Sequence, residues 1–266
     1  PEGGTAIREY IRHPGAVAIL ALLPNGKLLL EKQFRYALQR EFLEIYKALK
    51  EHQTPQLPAP IPYRNYLKWL SGQNQTAYSD YWKSYLKEYG NLTGIPKDAG
   101  SHEGILKEHV IRLNADVTRR LEQLTAQHEV TMSSLIQTAW GLLLSRYNQT
   151  EDIIFGATVS GRPGVLESVS EIVGLFINTI PVRIQLDPKT PFMDAVRNTN
   201  QKGIESKENS YYSLAKIQSD SKLHEQLFDH VLVYENYPVD KEIERIAKDA
   251  TLGFSIGNIR TSRSEE

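Results

Sequence analysis

The chain has 266 residues, enough for one large domain or two small ones. Forty per cent hydrophobic and 24% charged residues describe an ordinary globular chain, and a net charge of −1 gives no electrostatic footprint for nucleic acid. The lack of cysteine excludes disulfides, thiol nucleophiles and cysteine-ligated zinc, and fits a cytoplasmic setting. No run approaches the ~18 apolar residues of a membrane span, and no signal peptide is evident. A start at Pro1 without methionine reads as a fragment or a processed product.

In chain order, Pro1–Arg12 reads as a polar lead-in. Ala16–Gln33 predicts a β-hairpin turning at Pro24-Asn25-Gly26, because Asn-Gly supplies the positive φ angles of a tight turn. Phe42–His52 predicts a helix, and Thr54–Pro62 an extended proline-rich connector. Helices are expected over Tyr63–Ser71 and Thr76–Tyr89. Tyr78, Tyr81, Trp82 and Tyr85 recur at helical spacing, which favours a packed face over stacking on bases. Asn91–Gly104 reads as a loop, and ILKEHVIRL at Ile105–Leu113 is strand-like. An amphipathic helix follows from Asn114 or Ala115 to His128, with Val117, Leu121 and Leu124 on one side. Thr131–Tyr147 is the most apolar helix, N-capped by Thr131 and expected to lie across a sheet. Pro191–Glu208 is a helix with proline in its first turn, and Val231–Tyr234 and Leu252–Ile256 read as strands. Strands of mixed spacing with helices between them indicate an α/β sandwich.

The centre of this pattern is Asp152–Leu186: a buried strand, a glycine-punctuated loop and a second buried strand. Ile153-Ile154-Phe155 is strand-forming, and Gly156 then admits a close approach. Ser160-Gly161-Arg162-Pro163-Gly164 is a turn. The odd feature is Asn178-Thr179 inside an apolar strand. An unpaired buried amide costs about 1–3 kcal/mol, so Asn178 either pins two backbone segments or faces a ligand.

These residues carry a resemblance. VSGRP (Val159–Pro163) followed by EIVGLFINTIPVR (Glu171–Arg183) resembles the late core of the condensation domains of nonribosomal peptide synthetases. Three further stretches agree in order. Tyr63–Trp69, YRNYLKW, is similar to the family's YxDYAxW, with Asn65 where aspartate is usual. His128–Asp152 is similar to its central helix. Asn209–Asp240 lies near its HQDYPFE motif, in diverged form. The resemblance runs from about Tyr46 to Ile259 and implies a lobe like chloramphenicol acetyltransferase, the C-terminal one of two that form a V. It implies carrier-protein partners presenting phosphopantetheine-tethered substrates. It also implies that Ser160, Gly161, Arg162, Gly174, Asn178 and Thr179 border the tunnel between lobes.

The family's catalytic signature, HHxxxDG, is missing. Its second histidine reaches the attacking amine, and an imidazole of pKa about 6.5 suits proton handling near neutrality. The chain has seven histidines, His13, His52, His102, His109, His128, His224 and His230. No two are adjacent and none has aspartate four residues on, so no catalytic residue can be assigned. A lobe inactive by itself is expected, with a non-catalytic docking module as the alternative.

The N-terminal stretch resembles something else. RHPGAV, the hairpin, KQFRY and REFLE are similar to the opening of Nudix ADP-ribose pyrophosphatases, which hold magnesium on a set of glutamates. At the box's spacing from Gly26, Arg40–Glu44 fall in register. However, Lys32 stands at the first glutamate, Ile45 at the last, and no glycine closes the helix. The expected division is therefore a Nudix-like hairpin fragment over 1–44 and a partial condensation lobe over 45–266, with a seam near Glu44 suggesting a recombined chain. A Nudix-type remnant is the other functional alternative. No bound cofactor and no metal site are expected.

Overall fold

The computed structural model describes residues 8–13, 16–22, 28–30, 36–90, 92–95, 111–223 and 227–234. The chain divides into two compact units. One is drawn from Pro1–Gly72, Arg162–Phe176 and Glu235–Glu266, the other from Gln73–Gly161 and Ile177–Tyr234.

In the first unit, strands β1 (Arg8–His13), β2 (Ala16–Leu22) and β3 (Leu28–Leu30) make an antiparallel sheet in that order. β1 pairs with β2 from Arg8↔Ala21 to His13↔Ala16, and β2 meets β3 at Leu22↔Leu28. The described part of the expected polar lead-in, from Arg8 on, is thus a strand. Its ladder partner supplies the hydrogen bonds that its own composition does not announce. Pro24–Gly26 lie outside the described residues.

Helix α1 (Tyr36–Lys50) begins before the expected Phe42 and runs unbroken through Glu44. Its early residues Ala37, Leu38, Gln39 and Arg40 are all strong helix formers. It stops where His52 adopts φ 53°, with Gln53 N donating to Ala48 O at 2.7 Å and His52 N to Leu49 O at 3.1 Å. This is the left-handed cap that consumes orphan carbonyls at a helix end. His52 is therefore an exposed helix terminator.

Past the extended connector, α2 (Arg64–Ser71) buries Tyr66 against Ile172 and Phe176. Ile61, Tyr63, Trp69, Leu70, Leu166 and Val169 surround that cluster. Two stretches far apart in sequence, YRNYLKW and the loop after VSGRP, therefore share one small core.

The second unit is built on β4 (Asp152–Ser160) and β5 (Ile177–Gln185), antiparallel from Asp152↔Gln185 to Ser160↔Ile177. β6 (Val231–Leu232) runs parallel to β4 on its other side, giving the order β5-β4-β6. Successive β4 side chains point to opposite faces, and both faces are covered. Ile153 and Phe155 join Leu144 and Ile184 in one cluster, edged by Trp140 of α5 (Met132–Asn148). Ile154 joins Trp82, Leu86, Tyr89, Ile180, Ile217 and Phe228 in the other, between α3 (Gln75–Tyr85) and α7 (Leu214–Asp220).

The aromatic stripe of α3 is a packed face, as its spacing predicts: Trp82 is fully buried and donates from Nε1 to Asn209 O at 3.0 Å. The helix ends at Tyr85 rather than Tyr89, with Glu88 turning the chain at φ 66°. Thr131 caps α5 as expected, its hydroxyl accepting from Ser134 N at 3.1 Å. α5 lies on the sheet so closely that a Cβ on Gly141 would stand 2.9 Å from Ile184 Cδ1. α4 (Ala115–Gln127) is capped by Asn114, and α6 (Phe192–Glu208) packs along α5. Pro191 is the N-cap residue of α6 rather than part of its first turn. Ile111–Leu113 carry no strand, whereas the rest of that stretch, Ile105–Val110, and Leu252–Ile256 lie outside the described residues. The architecture of this unit is a mixed α/β sandwich.

Candidate functional site

The sequence-predicted site residues divide between the units. Ser160, Gly161, Asn178 and Thr179 belong to the second, Arg162 and Gly174 to the first.

In the second unit Asn178 stands opposite Val159, and Thr179 opposite Thr158. The Asn178 amide is spent on backbone. Nδ2 donates to Ser210 O at 2.8 Å and Tyr212 O at 2.9 Å, while Oδ1 accepts from Thr179 N at 2.9 Å. A polar residue persists in this apolar strand because it ties β5 to the turn after α6, and unpaired carbonyls there would be costly. Thr179 is half-buried beside it, Gly161 is buried, and Ser160 is exposed at the strand end.

In the first unit Arg162 closes its own loop. Its Nη1 donates to Ile172 O at 3.0 Å and to Val169 O, and the guanidinium lies 4.0 Å over the Phe176 ring. A planar cation with fixed donors suits such a fork between carbonyls and an aromatic face. Gly174 faces Tyr63: a Cβ there would come within 2.0 Å of Tyr63 Cδ2. Tyr63 meets Phe176 edge-on at 5.3 Å and donates its hydroxyl to Leu175 O. Burial pushes the Tyr63 phenol up, offset in part by the nearby Arg162 charge. A cleft of about 360 Å³ opens beside this core, with Ile61, Leu166 and Ile172 as its apolar lining and Asn65, Glu167 and Ser168 as its polar one. Asn65, at the position where the YxDYAxW pattern has aspartate, lines that cleft.

Of the described histidine side chains, His52 is exposed at the end of α1, while those of His128 and His230 are engaged. His128 ends α4 with Nδ1 2.8 Å from Arg197 Nη2. His230 has both ring nitrogens engaged: Nε2 accepts from Trp140 Nε1 at 2.9 Å, so the proton sits on Nδ1, which donates to Asp229 Oδ1 at 2.7 Å. With its ring stacked on Phe155, it is a satisfied core histidine. For His13 only the backbone is described, and His102, His109 and His224 lie outside the described residues. No three histidine, aspartate or glutamate side chains gather as a metal-binding group among the described residues.

One residue escaped the sequence reading. Arg183, 8% exposed, donates Nε to Asp152 Oδ1 at 2.8 Å and Nη2 to Oδ2 at 2.6 Å. Nη1 reaches Tyr85 O and Lys87 O, each at 2.9 Å. The Asp152 hydrogen bonds hold the guanidinium charged against its burial. A lone arginine in an apolar strand was the available signal. The register that places Asp152 diagonally across the ladder from it was not visible.

The condensation domain model matches residues 36–266. The chain is 39% identical over 221 residues to bacitracin synthase 3 of Bacillus licheniformis, covering 82% of this chain and 3% of that protein. It is 34% identical over 223 residues to gramicidin S synthase 2 of Brevibacillus brevis, covering 83% of this chain and 5% of that protein. The first condensation domain of the CDA synthetase superposes with a TM-score of 0.59 at 15% identity, over 77% of this chain and 46% of that one. The X-domain from teicoplanin biosynthesis superposes at 0.60 and 21% identity, over 74% and 46%. These two likenesses establish the fold. The chain spans under half of those structures and a small fraction of the synthetases. A model matching from Tyr36 to Glu266, on the fold those structures share, shows that the chain belongs to the condensation domain family of nonribosomal peptide synthetases.

Proposed function

We propose that the chain serves as the C-terminal part of a condensation domain that joins aminoacyl or peptidyl groups held as carrier-protein thioesters. In that reaction the acceptor amine attacks the thioester carbonyl carbon. A C–N bond forms, the C–S bond breaks, and the phosphopantetheine thiol leaves with the proton that the amine gives up. The observation that carries the reading is a family match over 36–266 in a chain without HHxxxDG. The proton-handling histidine therefore comes from outside this sequence, from an N-terminal lobe. Carrier protein domains are the partners, and phosphopantetheine is theirs rather than a group resident here.

Ser160, Gly161, Arg162, Gly174, Asn178 and Thr179 border the substrate path as backbone-shaping positions. The way Asn178 and Arg162 are spent on carbonyls supports that role over acid–base work. The Nudix-like segment without hydrolase chemistry is read over residues 1–44, with a seam near Glu44, and its last residues from Tyr36 are shared with the condensation match. A cytoplasmic setting belongs to the same proposal.

The test combines two loaded carrier domains with the chain, in the presence and absence of a segment bearing HHxxxDG. Dipeptide is expected only with that segment. A chain that binds loaded carriers but never supports product with any donor segment is a docking module instead. Magnesium-dependent release of AMP from ADP-ribose would favour the Nudix alternative.

A further inference from the structure

β5 is the outer strand of the described sheet, and an outer strand normally offers a row of unpaired N–H groups on which another chain can add. Which N–H groups face outward follows from Pro181. It stands opposite Gly156, has no N–H to give, and Gly156 sends its own N–H the other way, to His230 O at 3.1 Å. Gly156 and Pro181 are thus a non-hydrogen-bonded pair, and the odd-numbered residues of β5 turn their amides away from β4.

Along the middle of the strand each outward donor is removed. The Thr179 amide donates to Asn178 Oδ1 at 2.9 Å, position 181 has none, and the Arg183 amide donates to Tyr85 Oη at 2.8 Å. The same residues draw covering chain over the edge. Asn178 Nδ2 holds the carbonyls of Ser210 and Tyr212, and the Arg183 guanidinium holds those of Tyr85 and Lys87.

We infer that β5 is an edge shut against strand addition by Asn178, Pro181 and Tyr85, and that the partner it excludes is a second copy of this chain pairing β5 to β5. The role is independent of the reaction proposed above and stands if that reaction is disproved.

Residue-resolved hydrogen exchange on the intact chain tests the closure. The Thr179 and Arg183 amides should exchange as slowly as the ladder amides of Ile180 and Val182. Asn178→Ala should speed Thr179 at least tenfold more than Arg183, and Tyr85→Phe should do the reverse. Sedimentation then tests the excluded partner: the chain carrying Asn178→Ala, Pro181→Ala and Tyr85→Phe together should gain mass with concentration where the parent does not. Fast exchange of Thr179 and Arg183 in the parent overturns the inference, as does a folded triple variant with the parent's mass. If circular dichroism shows the triple variant unfolded, the selective pattern in the single variants decides.

Discussion

Replacing Arg183 with methionine keeps most of the aliphatic stem and removes the guanidinium. Four hydrogen bonds go with it: two to Asp152 at 2.8 and 2.6 Å, and two to the carbonyls of Tyr85 and Lys87 at 2.9 Å. The carboxylate loses its counter-ion, and two carbonyls at the end of α3 and just beyond it lose their donor. Removing one member of a buried pair costs about 3–5 kcal/mol. The Asp152 side chain keeps 32% exposure, so water can take up part of the loss. That places Arg183→Met at the lower end, about 3 kcal/mol. Asp152→Asn should be milder, about 1–2 kcal/mol, because an amide oxygen still accepts and Arg183 keeps its two carbonyls. The double variant should lose less than the sum, since the two side chains act on each other. Urea melts measure all three, read at unchanged m-value. A loss under about 1 kcal/mol for Arg183→Met would refute the view that this arginine clamps α3 to the sheet.

Gly174→Ala should destabilise by about 1–3 kcal/mol through collision with Tyr63, whereas Gly164→Ala, with nothing within 4 Å of the added methyl, should change little. Chemical denaturation of the two variants in parallel checks the contrast. For Asp220, burial favours the neutral acid, but hydrogen bonds from Ser79 and Tyr212 and the Lys83 charge outweigh it and lower the folded pKa. Its contribution is thus present above the unfolded carboxylate pKa of about 3.9 and lost as pH falls through the lower folded value, so Asp220→Asn should flatten the acid limb of a stability–pH curve. Tyr85 behaves oppositely. Burial pushes its phenol up, so its contribution is complete below about 10 and lost as pH rises through the higher folded value; Tyr85→Phe should remove one late-titrating tyrosine from an ultraviolet titration. Asn114→Ala should cost about 1 kcal/mol in thermal stability by uncapping α4, where its side chain accepts from Val117 N at 2.8 Å.

What could be read from the sequence was whatever local chemistry declares. Thr131 ahead of an apolar helix, the aromatic spacing of α3 and the two apolar strands around a glycine loop each carry their structure in neighbouring residues. The pinning role of Asn178 was half legible: an amide in an apolar strand needs partners, but Ser210 and Tyr212 lie 32 and 34 residues on, and only packing brings them there. β1 was missed because REYIRH has no strong period, and its ladder partner makes it a strand. The same limit hid Arg183, whose meaning lies in the register with Asp152. Gly174 reads in sequence as a tunnel-bordering position of a glycine-punctuated loop, whereas the structure sets it against the ring of Tyr63 from a distant motif. The early start of α1 went unseen because Tyr36–Leu43 resembled the other family, while the condensation model already covers those residues.

The central claim is that this chain supplies a condensation lobe without its proton-handling histidine. The most direct measurement follows dipeptidyl product by mass spectrometry in a single turnover with loaded donor and acceptor carriers. Three mixtures are compared: the chain alone, the chain with a segment bearing HHxxxDG, and the chain with that segment after its second histidine is changed to alanine. The account predicts product in the second mixture and background in the other two. Product from the chain alone, at a rate matching the second mixture, would contradict it.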